Sequence, residues 1–191
     1  MEEALLIEGA VAKRRREFTA GRNFARQALA ELGVPVTPIL AHDRRPLWPA
    51  GTLGSITHTH GRCAAAVARA EDFVGIGLDV EERGVVTEEL QRYILSEAER
   101  DWLRSLPTAS QTDWATLTFS AKEAFYKSLA ELGVGFVEFH DINIGFHEGG
   151  TFDVAIVSEA LAAKLRSFEI RGRCVTEADW IWTGVTLRRK T

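Results

Sequence analysis

Cysteine, methionine and proline are scarce in this sequence, and no long apolar run interrupts it. The two cysteines, Cys63 and Cys174, stand far apart, with no C-x-x-C spacing and no histidine cluster beside either, which excludes a zinc ribbon and a dithiol redox pair. Both are expected as small buried apolar groups. Nothing approaches the roughly 18 consecutive apolar residues of a membrane-spanning helix. The opening stretch MEEALLIEGAVAKRRR places acid before base, the reverse of a secretory signal, so a cytoplasmic protein is expected. Nor is there a surplus of positive charge: 23 Lys and Arg stand against 27 Asp and Glu, a net charge of −4. Neither nucleic acid nor membrane is therefore an expected partner, and any polyanion site must be local.

With 191 residues, 46% hydrophobic and 26% charged, the chain has the composition of an ordinary globular protein of one or two domains. From Arg14 to Leu32, the residues Phe18, Ala25, Ala28, Leu29 and Leu32 recur at helical spacing, and Gly33 with Pro35 supplies a stop. Arg15, Arg22 and Arg26 fall within about 40° of one another beside that apolar stripe, either as a solvated border or as a local anion site. Residues Pro35 to Leu53 carry four of the five prolines and predict an ordered loop that exposes Trp48 between Pro46 and Pro49. Three strand-like runs follow, Gly54 to Thr59, Cys63 to Ala70 and Phe73 to Val80, whose tight connections predict an antiparallel meander. Helical patterns run through TEELQRYIL and SEAERDWLRSL, where Ser96 and Glu99 have capping-box spacing, and again from about Asp113 to Leu132. The segments HDINIGFHEGGTFDVAIV and RCVTEADWIWTGVTL each predict a pair of strands. Helix, strands, helices and strands in that order give an α+β fold, with a division near Pro107 into residues 1–107 and 108–191.

Asp79 and Glu81 lie two apart in FVGIGLDVE, so an extended strand puts both carboxylates on one face, roughly 7 Å apart at the backbone. Either the strand turns polar as it leaves the core, or the paired acids hold a cation, for which Mg²⁺ and its preference for oxygen ligands are suited. In FSAKEAFYKSL, Glu123 and Lys127 are i, i+4 neighbours, and Phe119, Tyr126 and Ala130 point close to the same direction. The pair is therefore expected to face inward, beside metal and phosphate, rather than to form a surface ion pair. His58 in SITHTH is either a structural residue or a phosphate donor, since nothing near it has zinc-ligand spacing. Gly75 and Gly77 lack the third glycine that a dinucleotide-binding turn requires.

GSITHT, then VGIGLDVE, then FSAKEAFYK resemble in order and separation the 4'-phosphopantetheinyl transferases of the surfactin-synthetase and enterobactin-synthase type. RRREFTAGRNFARQAL and RRPLWPAG are similar to the enterobactin branch, so the resemblance covers most of the chain. It departs at Phe119, where the family often has Trp, and at Thr57, where it often has Ser. The resemblance implies a pseudo-two-fold pair of α+β halves, each a long helix packed on a small antiparallel sheet, with the cofactor between them. It implies Mg²⁺, or Mn²⁺ in its place, on Asp79, Glu81 and Glu123. Lys127 and His58 would contact the diphosphate of coenzyme A during transfer, Arg14 and Arg22 its 3'-phosphate, and Arg45 and Pro46 the adenine. Lys122 is expected to reach phosphate or an acid of the carrier protein, and Glu123 to take the proton of the attacking serine.

The implied reaction moves the 4'-phosphopantetheine arm of coenzyme A to a serine of an apo acyl or peptidyl carrier protein, releasing adenosine 3',5'-bisphosphate. The carrier would belong to fatty acid, polyketide, nonribosomal peptide or siderophore synthesis and would dock on a basic and apolar patch around Lys122 and Gly133 to Phe139. One chain supplies both halves, so a monomer is expected. Two other functions would use the same residues: a Mg²⁺-dependent phosphodiesterase that needs no protein acceptor, and a coenzyme A-binding regulator without turnover.

Overall fold

The computed structural model describes residues 2–42 and 45–190. A short helix α1 (Glu2–Leu5) precedes the long helix α2 (Ala12–Glu31), and the chain leaves α2 through Gly33 at a φ of 77°. Ala25 and Leu29 of α2 are fully buried and form, with Ile39, a core against Val34, Trp48, Ile56, Ala65 and Val67. Trp48, expected in the open, is half-buried, because its ring lies over Gly54, where a Cβ would come within 2.6 Å of it. The proline-rich segment forms a two-residue ladder of β1 (Ala41–His42) with β2 (Arg45–Pro46). Next comes a hairpin of β3 (Thr52–Thr59) and β4 (Arg62–Arg69). Its two-residue turn holds His60 and Gly61 at φ of 31° and 85°, the left-handed backbone such a turn needs.

The third strand-like run, β5 (Gly75–Glu82), does not extend the meander. It pairs along its whole length with β9 (Trp180–Arg189) in a five-stranded antiparallel sheet. The other strands are β6 (Ile142–His147), β7 (Thr151–Ile156) and β8 (Phe168–Glu177), and the order is β5-β9-β8-β7-β6. The reason is burial: positions 75–80 of β5 are covered almost without a break, which the end strand of a meander would not achieve. β3 still meets the edge of β5 that β9 leaves free, but through side chains. The N–H groups of Leu78 and Val80 donate to Ser55 Oγ at 3.0 Å and Thr57 Oγ1 at 3.3 Å, hydroxyls standing where a ladder would offer carbonyls.

Between β5 and β6 run α3 (Glu88–Ile94), α4 (Glu97–Arg104) and α5 (Thr108–Ser128), and α6 (Glu159–Leu165) follows β7. The capping box of Ser96 and Glu99 is formed, and α5 begins directly after Pro107, earlier than the apolar period alone indicates. α2 lies on the β3–β4 hairpin and α5 on β5 and β9, so each long helix has an antiparallel sheet of its own in an α+β fold, the sheets being of unequal size. A cut after Pro107 would part β5 from β9. Ala121, Ala124, Phe125 and Leu129 of α5 share their core with Ile142, Phe152, Val185 and Leu187. Among the described residues no helix is long and apolar enough to cross a membrane.

The contact that places α5 depends on two glycines. A Cβ on Gly75 would stand 2.1 Å from the Ser128 carbonyl oxygen, and one on Gly77 would stand 1.8 Å from that of Ala124. Gly77→Ala must push helix from sheet and is expected to cost at least about 2 kcal/mol in urea denaturation. Gly145→Ala, in β6 with nothing within 4 Å of the added carbon, should be neutral in the same experiment.

Candidate active site

Between them α5 and β3 set two acids of β5 against three hydroxyls and an ammonium. Asp79 is 3% exposed. Its Oδ1 accepts from Lys127 Nζ at 2.6 Å and from Thr57 Oγ1 at 3.1 Å, and its Oδ2 accepts from Ser120 Oγ at 2.8 Å. Lys127 also donates to the Leu78 carbonyl at 3.3 Å, so it bridges α5 and the free edge of β5. Glu81, on the same face two residues on, is only partly buried and accepts from Thr59 Oγ1 at 3.4 Å. Burial, then the charge of Asp79, and more weakly that of Glu123, push the Glu81 carboxyl up to about 7. Burial also raises Glu123, against the pull of Lys127 and with the repulsion of Asp79 added.

Three carboxylates thus share one ammonium, and the donor set is all oxygen. That set fits Mg²⁺, a hard cation that takes carboxylate oxygens and completes its shell with water and phosphate. Among the described residues no three acidic, histidine or cysteine side chains already converge as a closed metal cage.

A cavity of about 420 Å³ opens between α2 and β3, lined by Arg14, Arg22, Pro46, Ile56 and His58 among others. Arg22 is 5% exposed; its guanidinium stacks 4.6 Å from the Phe18 ring and donates to the Leu40 carbonyl at 3.4 Å, while its buried Nε has no partner among the described residues. Burial holds the guanidinium below its ordinary value, and Arg26 and Arg14 add to that while Glu3 opposes it. A buried cation with an unused donor beside a cavity is suited to an anion. His58 sits across from it, its Nε2 2.9 Å from Arg14 Nη1. A second cavity of about 230 Å³ shares Pro46 and Ile56 with the first and is lined by Arg45, Trp48, Tyr126 and Lys127. The two adjoining cavities therefore carry Arg14, Arg22, His58, Arg45 and Lys127 on their walls, and through Lys127 they lie next to Asp79.

Lys122 does not belong to these two cavities. It is 1% exposed, and its ammonium is committed to Glu99 Oε2 at 2.7 Å and to the carbonyls of Phe139, Ile94 and Ile142 at 2.7, 3.0 and 3.1 Å. With every donor used in the interior it is not available to phosphate or to a carrier acid, and the expected basic half of a docking patch is absent there. The apolar half is present: Tyr93, Tyr126 and Phe136, the last 81% exposed, line a cavity of about 390 Å³ that also reaches Glu123. Cys63 and Cys174 are free thiols, partly rather than fully buried. Sequence reasoning did not identify Thr57 and Ser120 as the partners of Asp79, although hydroxyls at alternate positions of the strand SITHT were a usable signal. Glu99 was legible only as a cap; its second oxygen also accepts from Ile144 N–H at 2.8 Å. Lys122→Met would leave Glu99 buried without its counter-ion and should lower stability by about 3 to 5 kcal/mol in chemical denaturation. Adding Glu99→Gln to it should recover part of that loss.

The family model of the 4'-phosphopantetheinyl transferase N-terminal domain matches residues 2–68, and that of the 4'-phosphopantetheinyl transferase superfamily matches residues 75–183. The chain is 41% identical over 152 residues to the 4'-phosphopantetheinyl transferase PptT of Mycobacterium tuberculosis, covering 78% of this chain and 66% of that one. It is 40% identical over 153 residues to Npt of Nocardia iowensis, covering 79% and 68%. Enterobactin synthase component D of Salmonella typhi is 36% identical over 129 residues, covering 65% and 52%. The chain thus spans about two thirds of the length of the first two relatives and about half of the third. Among solved structures, the holo-acyl-carrier-protein synthase of Neisseria meningitidis aligns with a TM-score of 0.52 at 20% identity, over 61% of this chain and 99% of that one. That of Bacillus anthracis, solved with coenzyme A, aligns with a TM-score of 0.50 at 23% identity, over 62% and 99%. These two show a shared fold, while the family models and the sequence relatives establish kinship: the chain belongs to the 4'-phosphopantetheinyl transferase superfamily.

Proposed function

We propose that this protein transfers the 4'-phosphopantetheine arm of coenzyme A to a serine of an apo acyl or peptidyl carrier protein, with Mg²⁺, releasing adenosine 3',5'-bisphosphate. The observation that carries this reading is a pair of adjoining cation-lined cavities whose Lys127 bonds to Asp79, beside Glu81 and Glu123, in a chain whose relatives are named for this transfer. Coenzyme A is a compact polyanion, and a net-acidic protein holds it by gathering its cations on one side of the site. Arg22, with its unused Nε, and Arg14 would take the 3'-phosphate. Arg45, Pro46 and Trp48 would frame the adenine. Lys127 and His58 would bind the diphosphate.

Asp79, Glu81 and Glu123 would hold Mg²⁺, which when bound supplies charge neutralisation at the diphosphate oxygens. The serine Oγ forms a bond to the β-phosphorus as the bridge to the 5'-phosphate breaks, and adenosine 3',5'-bisphosphate leaves. Glu123, beside the reacting diphosphate, would accept the serine proton. Lys127 Nζ donates to the oxygens on which charge builds. The α2–β3 and α5–β5 sides of the site come from one chain, so a monomer and not a pair of copies would do this work in the cytoplasm.

Intact-mass measurement of an apo carrier protein incubated with coenzyme A, Mg²⁺ and this chain tests the reading. Wild type should add the phosphopantetheinyl mass, and Asp79→Ala should not. Lys127→Ala should lower the rate about a hundredfold or more. Arg22→Met should raise KM for coenzyme A about tenfold with less change in kcat. Coenzyme A binding without transfer to any carrier class would favour the regulator, and hydrolysis without a protein acceptor the phosphodiesterase.

A further inference from the structure

On the α2 face of β3, His58 lies between two charged residues of the same helix. Arg14 Nη1 is 2.9 Å from His58 Nε2, and Glu17 Oε2 is 3.7 Å from His58 Nδ1. A guanidinium only donates hydrogen bonds, so Nε2 accepts here and carries no proton. The ring proton is then on Nδ1, towards Glu17. Glu17 is 19% exposed at its side chain, and its other oxygen lies 3.9 Å from Lys13 Nζ. In this arrangement His58 has no proton to offer a phosphate, because Arg14 occupies the nitrogen that would carry it.

We propose that Glu17 is a positioning residue that holds the His58 ring for protonation at Nε2, so that binding of the coenzyme A diphosphate takes up a proton there; this rests on the coenzyme A reading above. The incoming anion draws Arg14 away from the ring. A proton from solvent then forms the Nε2–H bond, Nε2 donates to a phosphate oxygen, and the Glu17 carboxylate, 3.7 Å from Nδ1, balances the charge of the ring. The groups that face His58 support this direction. Burial holds the imidazole below its ordinary value, Arg14 of α2 and Lys127 of α5 push the same way, and Glu17 alone among these charges opposes them. The cross-strand neighbour on β4 is the Cys63 thiol, itself raised by burial and by Glu17. The β5 carboxylates engage Thr57 and Thr59, which alternate with His58 on the opposite face of β3. Coenzyme A, with its 3'-phosphate on Arg14 and its diphosphate on Lys127 and His58, offsets both cations and leaves the proton favoured. Affinity then rises as pH falls through the bound-state value and levels off below that of the free ring.

Calorimetric titration of the full chain with coenzyme A and Mg²⁺, in two buffers of different ionisation enthalpy, reads the protons exchanged. Wild type should take up roughly half a proton more per coenzyme A than His58→Gln at about pH 7. His58→Gln reports the protons exchanged by the ligand and at the carboxylates, which the difference removes. Glu17→Gln should bind about tenfold more weakly and lose most of the uptake, and Glu17→Asp should regain part of both. Nitrogen NMR of the free chain should show the His58 proton on Nδ1. A proton on Nε2 in the free chain, equal uptake in wild type and His58→Gln, or a Glu17→Gln variant that matches wild type would overturn the proposal while leaving coenzyme A binding intact. No binding by the folded wild type would overturn both readings.

Discussion

The backbone of α5 rests directly on the backbone of β5, because Gly75 and Gly77 put no side chain between them. That approach sets the position of the polar groups that α5 brings to the site. It brings Ser120 Oγ within 2.8 Å of Asp79 Oδ2 and Lys127 Nζ within 2.6 Å of Oδ1. It also leaves Glu123, on the same helix, close enough to feel the Asp79 charge. A helix standing at the usual distance from a sheet would hold these groups apart, with water between them. The buried hydroxyl of Thr183 on β9, which donates to the Ser120 carbonyl at 2.8 Å, pins the same turn of the helix to the next strand.

The charge at the site is left unbalanced on both sides. On the β5 side three carboxylates face one ammonium, and burial raises two of them. On the α2 side Arg22 keeps a buried nitrogen without a partner among the described residues, and Arg14 must share itself with a histidine. Each half is therefore less satisfied alone than with a ligand that carries negative phosphate and brings a divalent cation. Native interiors rarely tolerate such groups without a functional reason. The cost is met by the cores beneath: Ala25, Leu29 and Ile39 under α2, and the larger cluster under α5.

Much of this was legible in the sequence, because the relevant residues recur at the period of their element. The strand spacing of Asp79 and Glu81 and the helix spacing of Glu123 and Lys127 each place two groups on one face, and the structure keeps them there. The paired strands of the C-terminal segment follow from their turn residues, and the Ser96 cap from its spacing. What was not legible depends on contacts between distant segments. Whether β5 ends a meander or joins β9 is decided by which edge needs cover, and nothing local to VGIGLDVE states that β9 arrives some hundred residues later. The two glycines there invite comparison with a nucleotide-binding turn, whereas their use is the close approach of a helix that follows much later in the chain.

Lys122 and Lys127 show the same limit from within one helix. They are five residues apart, about 140° around the axis, so they point to different sides of α5. Both pair with a buried acid at nearly the same distance, 2.7 Å to Glu99 and 2.6 Å to Asp79. The difference lies in what surrounds each pair. Glu99 accepts from Ser96 N–H, Ile144 N–H and Lys122, and Lys122 spends its remaining donors on carbonyls, so this pair is complete and closed to solvent. Its work is to tie α4, α5 and β6 together. Lys127 is 28% exposed and opens on a cavity, and among the described residues its acid neighbours Glu81 and Glu123 form no ion pair with a second cation, so that pair can exchange partners with a ligand. A buried ion pair by itself therefore says nothing about function; the one that keeps unused capacity beside open space is the one able to bind.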